Sequence, residues 1–308
     1  MAKKVVILGN LGMLGQELQR IFSADAGYAV SAWDKGDVDI TDFEALGRRL
    51  GEEHPDIVIN AAAYNAVDKC EESEEAFQTA LRLNRDVPQF LAKKSSEQGF
   101  VLVHYSTDYV FDGTLEKPEK MGGGCQGACC GGNCHGTPEG YDEDSMPNPL
   151  SRYAESKLAG EQEVEEHAKE YYLIRLSKLF GKPAASPEAK RSFFDTMLEA
   201  GRTKSEVQAV DGEKSCFTYA PDLAAATKEV IESGSPYGIY HLPNEGAVTW
   251  YEAALELYRQ AGLGTKVIPV APDAFPRPAR RPAFSVLLNT KRPPLRRYEA
   301  ALAEYLSE

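Results

Sequence analysis

Two residues in the middle of the chain have the types and spacing of a proton-transfer site. Tyr153 and Lys157 lie four positions apart in a segment of helical character, so both side chains project from one helix face. An ammonium group beside a phenol favours the phenolate and moves the pKa of the tyrosine toward working pH. The same spacing also arises by chance in amphipathic helices with a surface tyrosine, so other segments must support the interpretation.

A hydroxyl-bearing segment upstream supplies that support. The apolar pattern over 100–105 predicts a strand, and Ser106 and Thr107 follow at its carboxyl end, where ligands bind in open α/β sheets. A hydroxyl of Thr107 or Ser106 would hold a substrate carbonyl against the phenol of Tyr153. The two segments together predict acid catalysis at a carbonyl group.

The N-terminus has the pattern of a nucleotide-binding unit. A buried-strand pattern over Lys3–Leu8 runs into glycines at positions 9, 12 and 15, and a helical period follows. Gly9 allows a tight turn, Gly12 lets the backbone approach a pyrophosphate at the helix N-terminus, and Gly15 lets the helix pack on the sheet. A glycine turn without a ligand is the alternative.

A second predicted strand, Tyr28–Trp33, ends at Asp34, close to the distance expected of an acid that binds the adenosine ribose. The predicted cofactor is therefore NADPH or NADH. Asp34 suits the free 2′-hydroxyl of NADH, whereas the neighbouring Lys35 suits the 2′-phosphate of NADPH, so both remain open.

Strands and helices alternate along the first part of the chain. A strand over 56–60 delivers small residues at 61–65, a helix is predicted over 71–98, and a further strand over 172–176. This rhythm predicts an α/β fold, a Rossmann-type doubly wound parallel sheet, with a smaller C-terminal substrate lobe. We place the dinucleotide-binding domain at 1–180, including an insertion at about 114–140, and the substrate lobe at 181–308, with a soft boundary because the chain may cross between lobes.

Composition narrows the function classes. The 308 residues are 43% hydrophobic and 26% charged, enough for a large domain and a smaller lobe. The net charge of −13 argues against nucleic-acid binding and anionic membrane surfaces. With no apolar run near membrane-spanning length and no secretory leader, we expect a cytoplasmic protein. Arginines and lysines crowd positions 277–297, which suits a phosphorylated ligand, a solvated stretch or an inter-subunit patch.

These segments resemble the extended short-chain dehydrogenases/reductases, and within them the dTDP-4-dehydrorhamnose reductase family. The resemblance covers nearly the whole chain and rests on 9–15, 60–69, 106–113, 149–161 and 281–291. It implies that Tyr153 is the proton donor, that Lys157 lowers its pKa and holds the nicotinamide ribose, and that Thr107 assists at the carbonyl.

The resemblance also implies a set of binding residues. Those expected along the cofactor, from pyrophosphate to adenosine and nicotinamide, are Gly9, Leu11, Gly12, Met13, Leu14, Asp34, Asp39, Ile40, Ala61, Ala62, Ala63, Tyr64, Asn65, Tyr105, Tyr153 and Lys157. Those expected at the sugar are Thr107, Asp108, Tyr109 and Lys178.

The implied activity is reduction of the 4-keto group of a nucleotide-linked deoxysugar, with conversion of dTDP-4-dehydro-L-rhamnose to dTDP-L-rhamnose as the first choice. The alternatives are a cofactor-binding regulatory subunit related to the methionine adenosyltransferase β subunit, and a reductase or epimerase of another nucleotide sugar. A homodimer is also expected.

The chain departs from the family pattern at Lys178, where the family usually has a tryptophan that packs on the sugar. An ammonium group at this position would pair with a nucleotide phosphate or an acidic sugar, or point to solvent. The identity of the sugar is therefore open.

A second departure is the glycine-rich insertion, which contains Cys125, Cys129, Cys130 and Cys134. Converging thiolates suit an iron–sulfur cluster or zinc, although the adjacent Cys129 and Cys130 do not easily ligate one ion. A disulfide or redox pair and a flexible loop with incidental thiols are the alternatives. Hydride transfer needs no metal, so such a centre would be structural or regulatory.

Overall fold

The structure, a computed structural model, describes residues 2–115, 140–186 and 190–307. The first part contains β1 (Lys3–Leu8), α1 (Met13–Ser23), β2 (Tyr28–Trp33), α2 (Phe43–Glu53), β3 (Ile57–Asn60), α3 (Lys69–Glu72), α4 (Glu74–Leu81), α5 (Val87–Gln98), β4 (Val101–Thr107), α6 (Arg152–His167) and β5 (Tyr171–Leu176). The second part contains β6 (Leu179–Phe180), α7 (Phe193–Thr203), β7 (Glu206–Val210), β8 (Lys214–Ser215), β9 (Thr218–Tyr219), α8 (Ala220–Glu232), β10 (Gly238–His241), β11 (Asn244–Glu245), α9 (Trp250–Gln260), β12 (Lys266–Val270), β13 (Phe284–Ser285), β14 (Leu295–Arg297) and α10 (Tyr298–Ser307).

A six-stranded sheet organises the first part. Its strand order is β10-β5-β4-β3-β1-β2, and every neighbouring pair is parallel. The chain winds outward from β1 to β2 and then returns to the other side of β1 for β3, so the crevice for a ligand lies between the carboxyl ends of β1 and β3. The predicted Rossmann-type α/β fold is confirmed, and β1 and β2 have the predicted bounds.

Helices cover both faces of this sheet, which explains why its strands are apolar along their whole length. In β1, Val5 and Ile7 face a core shared with α1 and α8, whereas Val6 and Leu8 face a core shared with α2, α5 and α6. All four side chains are fully buried. The helix that carries Tyr153 and Lys157, α6, therefore packs on the opposite face from α1.

The single helix predicted over 71–98 is wrong. Ser73 has an extended backbone and caps α4 by accepting a hydrogen bond from the Ala76 amide at 3.3 Å. A π-helical turn over Arg82–Asp86 then separates α4 from α5. Serine is a preferred N-cap residue, and Pro88 lies at the start of α5. The π-helical turn also has a role in the candidate site.

A smaller lobe forms around a third core, in which Phe194, Phe217 and Leu257 are buried between α7, α9 and α10. The chain also crosses back to the large sheet after residue 181, because β10 pairs with β5 and α8 packs on α1. The predicted division at residue 180 stays a proposal. Among the described residues, no helix is long and apolar enough to cross a membrane.

A fully buried ion pair fixes α6 against β5. The guanidinium of Arg175 donates to both carboxylate oxygens of Glu161, with distances of 2.7 to 3.2 Å, and lies 5.2 Å from the ring centroid of Phe111. Its remaining nitrogen, Nη1, lies 3.3 Å from His241 Nε2. Burial and the charge of Arg175 lower the pKa of His241 to about 3, so the imidazole is neutral and accepts from the guanidinium.

We predict that Glu161→Gln lowers the free energy of unfolding by about 3–5 kcal/mol, because it leaves the charge of Arg175 buried without a counter-charge. A double variant with methionine at both Glu161 and Arg175 should recover most of this loss. Denaturant unfolding measures both, with Glu44→Gln in the exposed Arg48–Glu44 pair as control. A change below 1 kcal/mol for Glu161→Gln would show that the pair does not anchor α6.

Candidate active site

The glycine turn after β1 brings three segments together. Gly9 has a φ of 81°, and a Cβ there would lie 2.9 Å from the Ala62 amide nitrogen, while a Cβ on Gly15 would lie 2.1 Å from the Gly9 carbonyl oxygen. Gly12 caps α1 without a side-chain hydrogen bond. The first-turn amides of Met13 and its neighbours therefore face outward, which is the arrangement that binds a pyrophosphate.

The carboxylate of Asp34 closes this turn. It accepts hydrogen bonds from the Leu11 amide at 3.1 Å and from the Lys35 amide at 2.8 Å, and it retains lone pairs for a ribose hydroxyl. Asp39 is occupied by Thr41, whose amide and hydroxyl both donate to it. Ile40, next in the chain, packs at the edge of the core under β2.

The loop after β3 forms the facing wall. The Ala61 amide donates to the Leu8 carbonyl at 3.0 Å and the Ala62 amide to Asn60 Oδ1 at 3.3 Å, so this loop runs directly beside the glycine turn. The small side chains from Ala61 to Ala63 leave room for a ligand close to the backbone of this loop. The outward amides, the remaining lone pairs of Asp34 and these small side chains fit a dinucleotide.

Asn84, in the π-helical turn, holds that loop in place. Its Oδ1 accepts from the Tyr64 amide at 2.9 Å, and its Nδ2 donates to the Tyr64 carbonyl at 3.1 Å and to Ser156 Oγ at 2.9 Å. Asn84 is fully buried. The sequence prediction missed this residue, and the only signal for it was an amide side chain between apolar helical positions.

Tyr153 and Lys157 lie on α6, which faces this wall. The Tyr153 hydroxyl donates to Asn65 Oδ1 at 3.4 Å, and the Lys157 ammonium donates to the Tyr105 carbonyl at 2.6 Å. Both side chains are nearly inaccessible to solvent. Tyr105 reaches the site through this carbonyl, because its own hydroxyl lies 2.8 Å from Thr227 Oγ1 under the sheet.

The electrostatics of the pair differ from the sequence-based expectation. Burial raises the pKa of Tyr153, the neighbouring Tyr109 and Asp108 raise it further, and a hydrogen bond with the hydroxyl of Thr107 lowers it. Burial lowers the pKa of Lys157 to about 8, against the charge of Glu161. The phenol is therefore protonated at working pH, which is the form that a proton donor requires.

A tight turn after β4 completes this edge of the candidate site. Thr107 Oγ1 accepts from the Tyr109 amide and donates to Asp108 Oδ1, both at 3.2 Å, and the ring of Tyr109 lies edge-on to Tyr153 with centroids 6.3 Å apart. Ser285 donates to the other oxygen of Asp108 at 2.6 Å. The Ser106 hydroxyl is buried without a partner among the described residues.

Of the remaining predicted residues, Lys178 lies within the described part of the chain and the four cysteines do not. Lys178 follows β5, with its ammonium nitrogen 3.8 Å from the ring centroid of Trp250. The predicted thiolate ligands lie outside the described residues: Cys125, Cys129, Cys130 and Cys134.

The basic residues near the C-terminus bind carboxylates of the protein itself. Arg277 pairs with Glu213, and Arg281 donates to both oxygens of Asp68 in the loop after β3. The second pair joins the C-terminal segment to the wall of the candidate site. These two guanidinium groups are thus used inside the fold.

Comparison with known proteins places this geometry in a family. A family model described as the RmlD substrate binding domain matches residues 3–308. The dTDP-4-dehydrorhamnose reductase of Streptomyces griseus is 34% identical over 310 residues, which cover 97% of this chain and 91% of that protein. This chain belongs to the dTDP-4-dehydrorhamnose reductase family.

Other members of the family match over similar lengths. The spore coat polysaccharide biosynthesis protein SpsK of Bacillus subtilis (strain 168) is 33% identical over 311 residues, covering 99% of this chain and 97% of that protein. The crystal structure of dTDP-4-dehydrorhamnose reductase from Bacillus anthracis str. Ames, in complex with NADP, has a TM-score of 0.86 at 30% identity and covers 100% of this chain and 99% of that one. The family resemblance inferred from the sequence is confirmed.

We predict that Asn84→Asp weakens NADPH or NADH binding by about tenfold or more. An aspartate still accepts from the Tyr64 amide but cannot donate to the Tyr64 carbonyl or to Ser156, and such a buried loss costs roughly 1–3 kcal/mol. Titration of protein fluorescence with each dinucleotide measures the effect. Gln78→Glu, the same change at an exposed site on α4, should bind like the wild type, and an unchanged dissociation constant for Asn84→Asp would show that Asn84 does not set the cofactor wall.

Proposed function

We propose that this protein reduces the 4-keto group of a nucleotide-linked deoxysugar, converting dTDP-4-dehydro-L-rhamnose to dTDP-L-rhamnose with NADPH or NADH. The observation that carries the proposal is the position of the Tyr153 phenol, which donates to Asn65 Oδ1 at 3.4 Å on one side and lies edge-on to Tyr109, in the turn after Thr107, on the other. The names of the curated relatives and the NADP complex of a family member support the same reaction.

Each residue at this edge has a distinct task in the proposed reaction. A bound nicotinamide supplies the hydride. Tyr153 gives its proton to the carbonyl oxygen of the sugar as negative charge develops there. The hydroxyl of Thr107 turns from Asp108 Oδ1 to donate to that oxygen and hold it in line. Lys157, fixed by the Tyr105 carbonyl, supplies positive charge that stabilises the phenolate left on Tyr153.

Two alternatives remain distinguishable from this proposal. A regulatory subunit would bind dinucleotide without turnover, but Thr107, Tyr153 and Lys157 together favour an enzyme. A reductase or epimerase of another nucleotide sugar would use the same three residues on a different sugar. The choice between NADPH and NADH, a homodimer, a cytoplasmic location and a thiolate-bound iron–sulfur cluster or zinc in the insertion stay predictions.

We predict that Tyr153→Phe lowers kcat by roughly 10²–10⁴-fold, because it removes the proton donor and keeps the ring. NADPH and NADH should still bind within about threefold of the wild type, since the ring contact with Tyr109 persists. Cofactor oxidation with dTDP-4-dehydro-L-rhamnose measures turnover, and Tyr172→Phe on β5 serves as the matched control. Normal turnover in Tyr153→Phe would overturn the proposed mechanism.

We also predict that kcat/KM falls as the pH rises above about 8. Burial lowers the pKa of both Lys157 and Lys178 to about 8, so both ammonium groups are charged below that pH and lose their protons above it. The pH profile of kcat/KM reports groups of the free enzyme. A profile that stays flat to pH 10 would contradict a role for either charge.

A further inference from the structure

The backbone of Lys178 has an unusual conformation for its residue type. Its φ of 41° lies in the left-handed region, which costs a side-chain-bearing residue roughly 1–3 kcal/mol. Hydrogen bonds on both sides impose it: Thr218 Oγ1 donates to the Ser177 carbonyl at 2.6 Å, and the Thr218 amide donates to the Lys178 carbonyl at 3.3 Å. The direction of the lysine side chain is therefore fixed by β9.

That direction places the ammonium group in an apolar enclosure. Its nitrogen lies 3.8 Å from the ring centroid of Trp250 and 5.1 Å from that of Phe217. The nitrogen is buried and has no hydrogen-bond partner among the described residues. Three N–H donors of Lys178 are therefore unused by the protein.

The polar groups around this enclosure are, in contrast, already paired. Asp108 accepts from Ser285 and Thr107. Glu213 accepts from Trp250 Nε1 at 3.0 Å and pairs with Arg277. None of their oxygens accepts a hydrogen bond from Lys178, so its donors remain for a different group.

Carboxylates near Lys178 act on its charge although they accept no hydrogen bond from it. Burial lowers the pKa of Lys178, and the negative charges of Asp108, Glu213 and Glu252 oppose that effect. Because Asp108 and Glu213 act on the same ammonium, a further anion at this position would meet carboxylate repulsion. An uncharged oxygen would accept from Lys178 without that cost.

Lys178 also lies on the catalytic side of the cleft. Asp108, whose charge acts on Lys178, directly follows Thr107 and accepts a hydrogen bond from its hydroxyl. In the sheet, Thr107 of β4 pairs with Leu176 of β5, two residues before Lys178. A substrate whose carbonyl meets Thr107 therefore has its sugar on the side of Lys178.

We propose that Lys178 is a specificity-determining residue that donates hydrogen bonds to an uncharged oxygen, a hydroxyl or ether oxygen, of the substrate's sugar. The proposal rests on the proposed function and deepens it, because it makes the sugar a neutral one rather than an acidic one. Under this proposal Lys178 does not contact the diphosphate of the nucleotide.

The test compares dTDP with dTDP-L-rhamnose as ligands in isothermal titration. Lys178→Met keeps the length of the side chain and removes all donors, so dTDP-L-rhamnose should bind about tenfold or more weakly while dTDP binds within twofold of the wild type. Lys178→Gln restores a neutral donor, so its affinity for dTDP-L-rhamnose should lie between those of Lys178→Met and the wild type. In turnover, KM for the keto sugar should rise in Lys178→Met with kcat within about threefold.

Stability measurements exclude a purely structural role. Removing the ammonium relieves its desolvation cost but also removes its charge from the buried Asp108. Because the two effects oppose each other, Lys178→Met should melt within a few degrees of the wild type. Lys204→Met, at an exposed position after α7, is the control. A lower melting temperature with equal loss of both ligands would assign Lys178 to the fold and overturn the proposal.

The remaining outcomes separate this proposal from the proposed function. If Lys178→Met weakened the binding of dTDP and dTDP-L-rhamnose equally, Lys178 would lie at the diphosphate. If it changed neither affinity, Lys178 would not contact the ligand. Either result would overturn the proposal, whereas turnover by the wild type would still support the proposed function. Wild-type binding of dTDP-L-rhamnose without reduction of the keto sugar, together with selective loss in Lys178→Met, would overturn the function and support the subsite. A wild type that binds neither ligand would overturn both.

Discussion

The position of α6 is the constraint on which the rest of the site depends. Below the helix, the buried ion pair of Glu161 with Arg175 joins it to β5. Beside it, Gly160 lies so close to the π-helical turn that a Cβ would come within 1.9 Å of the Asn84 carbonyl oxygen. Because Asn84 also holds Tyr64, one contact sets both the helix that carries Tyr153 and the wall expected to face the cofactor.

The same packing explains the electrostatics of the site. A helix held this closely excludes water from Tyr153 and Lys157, and desolvation disfavours the charged form of each. Burial consequently raises the pKa of Tyr153 and lowers the pKa of Lys157. The neighbouring ammonium does not make the phenol more acidic than usual. The arrangement suits a site in which Tyr153 holds its proton until the substrate accepts it. Lys157 then stabilises the phenolate that remains.

The parts of the fold that follow from local pattern were predictable from the sequence. The first two strands, the glycine turn and the carboxyl-terminal positions of Thr107 and Asn65 follow from apolar runs and glycine spacing, because parallel strands bring their carboxyl ends to one edge. The prediction also missed the break at Ser73, although serine is a preferred N-cap residue. The role of Asn84 in the π-helical turn was not predictable, because Asn84 acts through partners 20 and 72 positions away.

The environment of Lys178 was also not predictable from the sequence. The sequence identified it as a departure from the family pattern, but its left-handed backbone depends on Thr218 and its enclosure on Trp250 and Phe217. None of these is near it in the chain. The basic residues at 277 and 281 likewise suggested a phosphate site until the fold paired them with Glu213 and Asp68.

Transfer of a labelled hydride tests the central claim most directly. The purified protein would be given dTDP-4-dehydro-L-rhamnose and NADPH or NADH carrying deuterium at the transferable position of the nicotinamide, and the sugar product would be examined by NMR. The account predicts dTDP-L-rhamnose with one deuterium at C4, in amounts equal to the cofactor oxidised. Dinucleotide binding without transfer, or deuterium at another carbon, would contradict it.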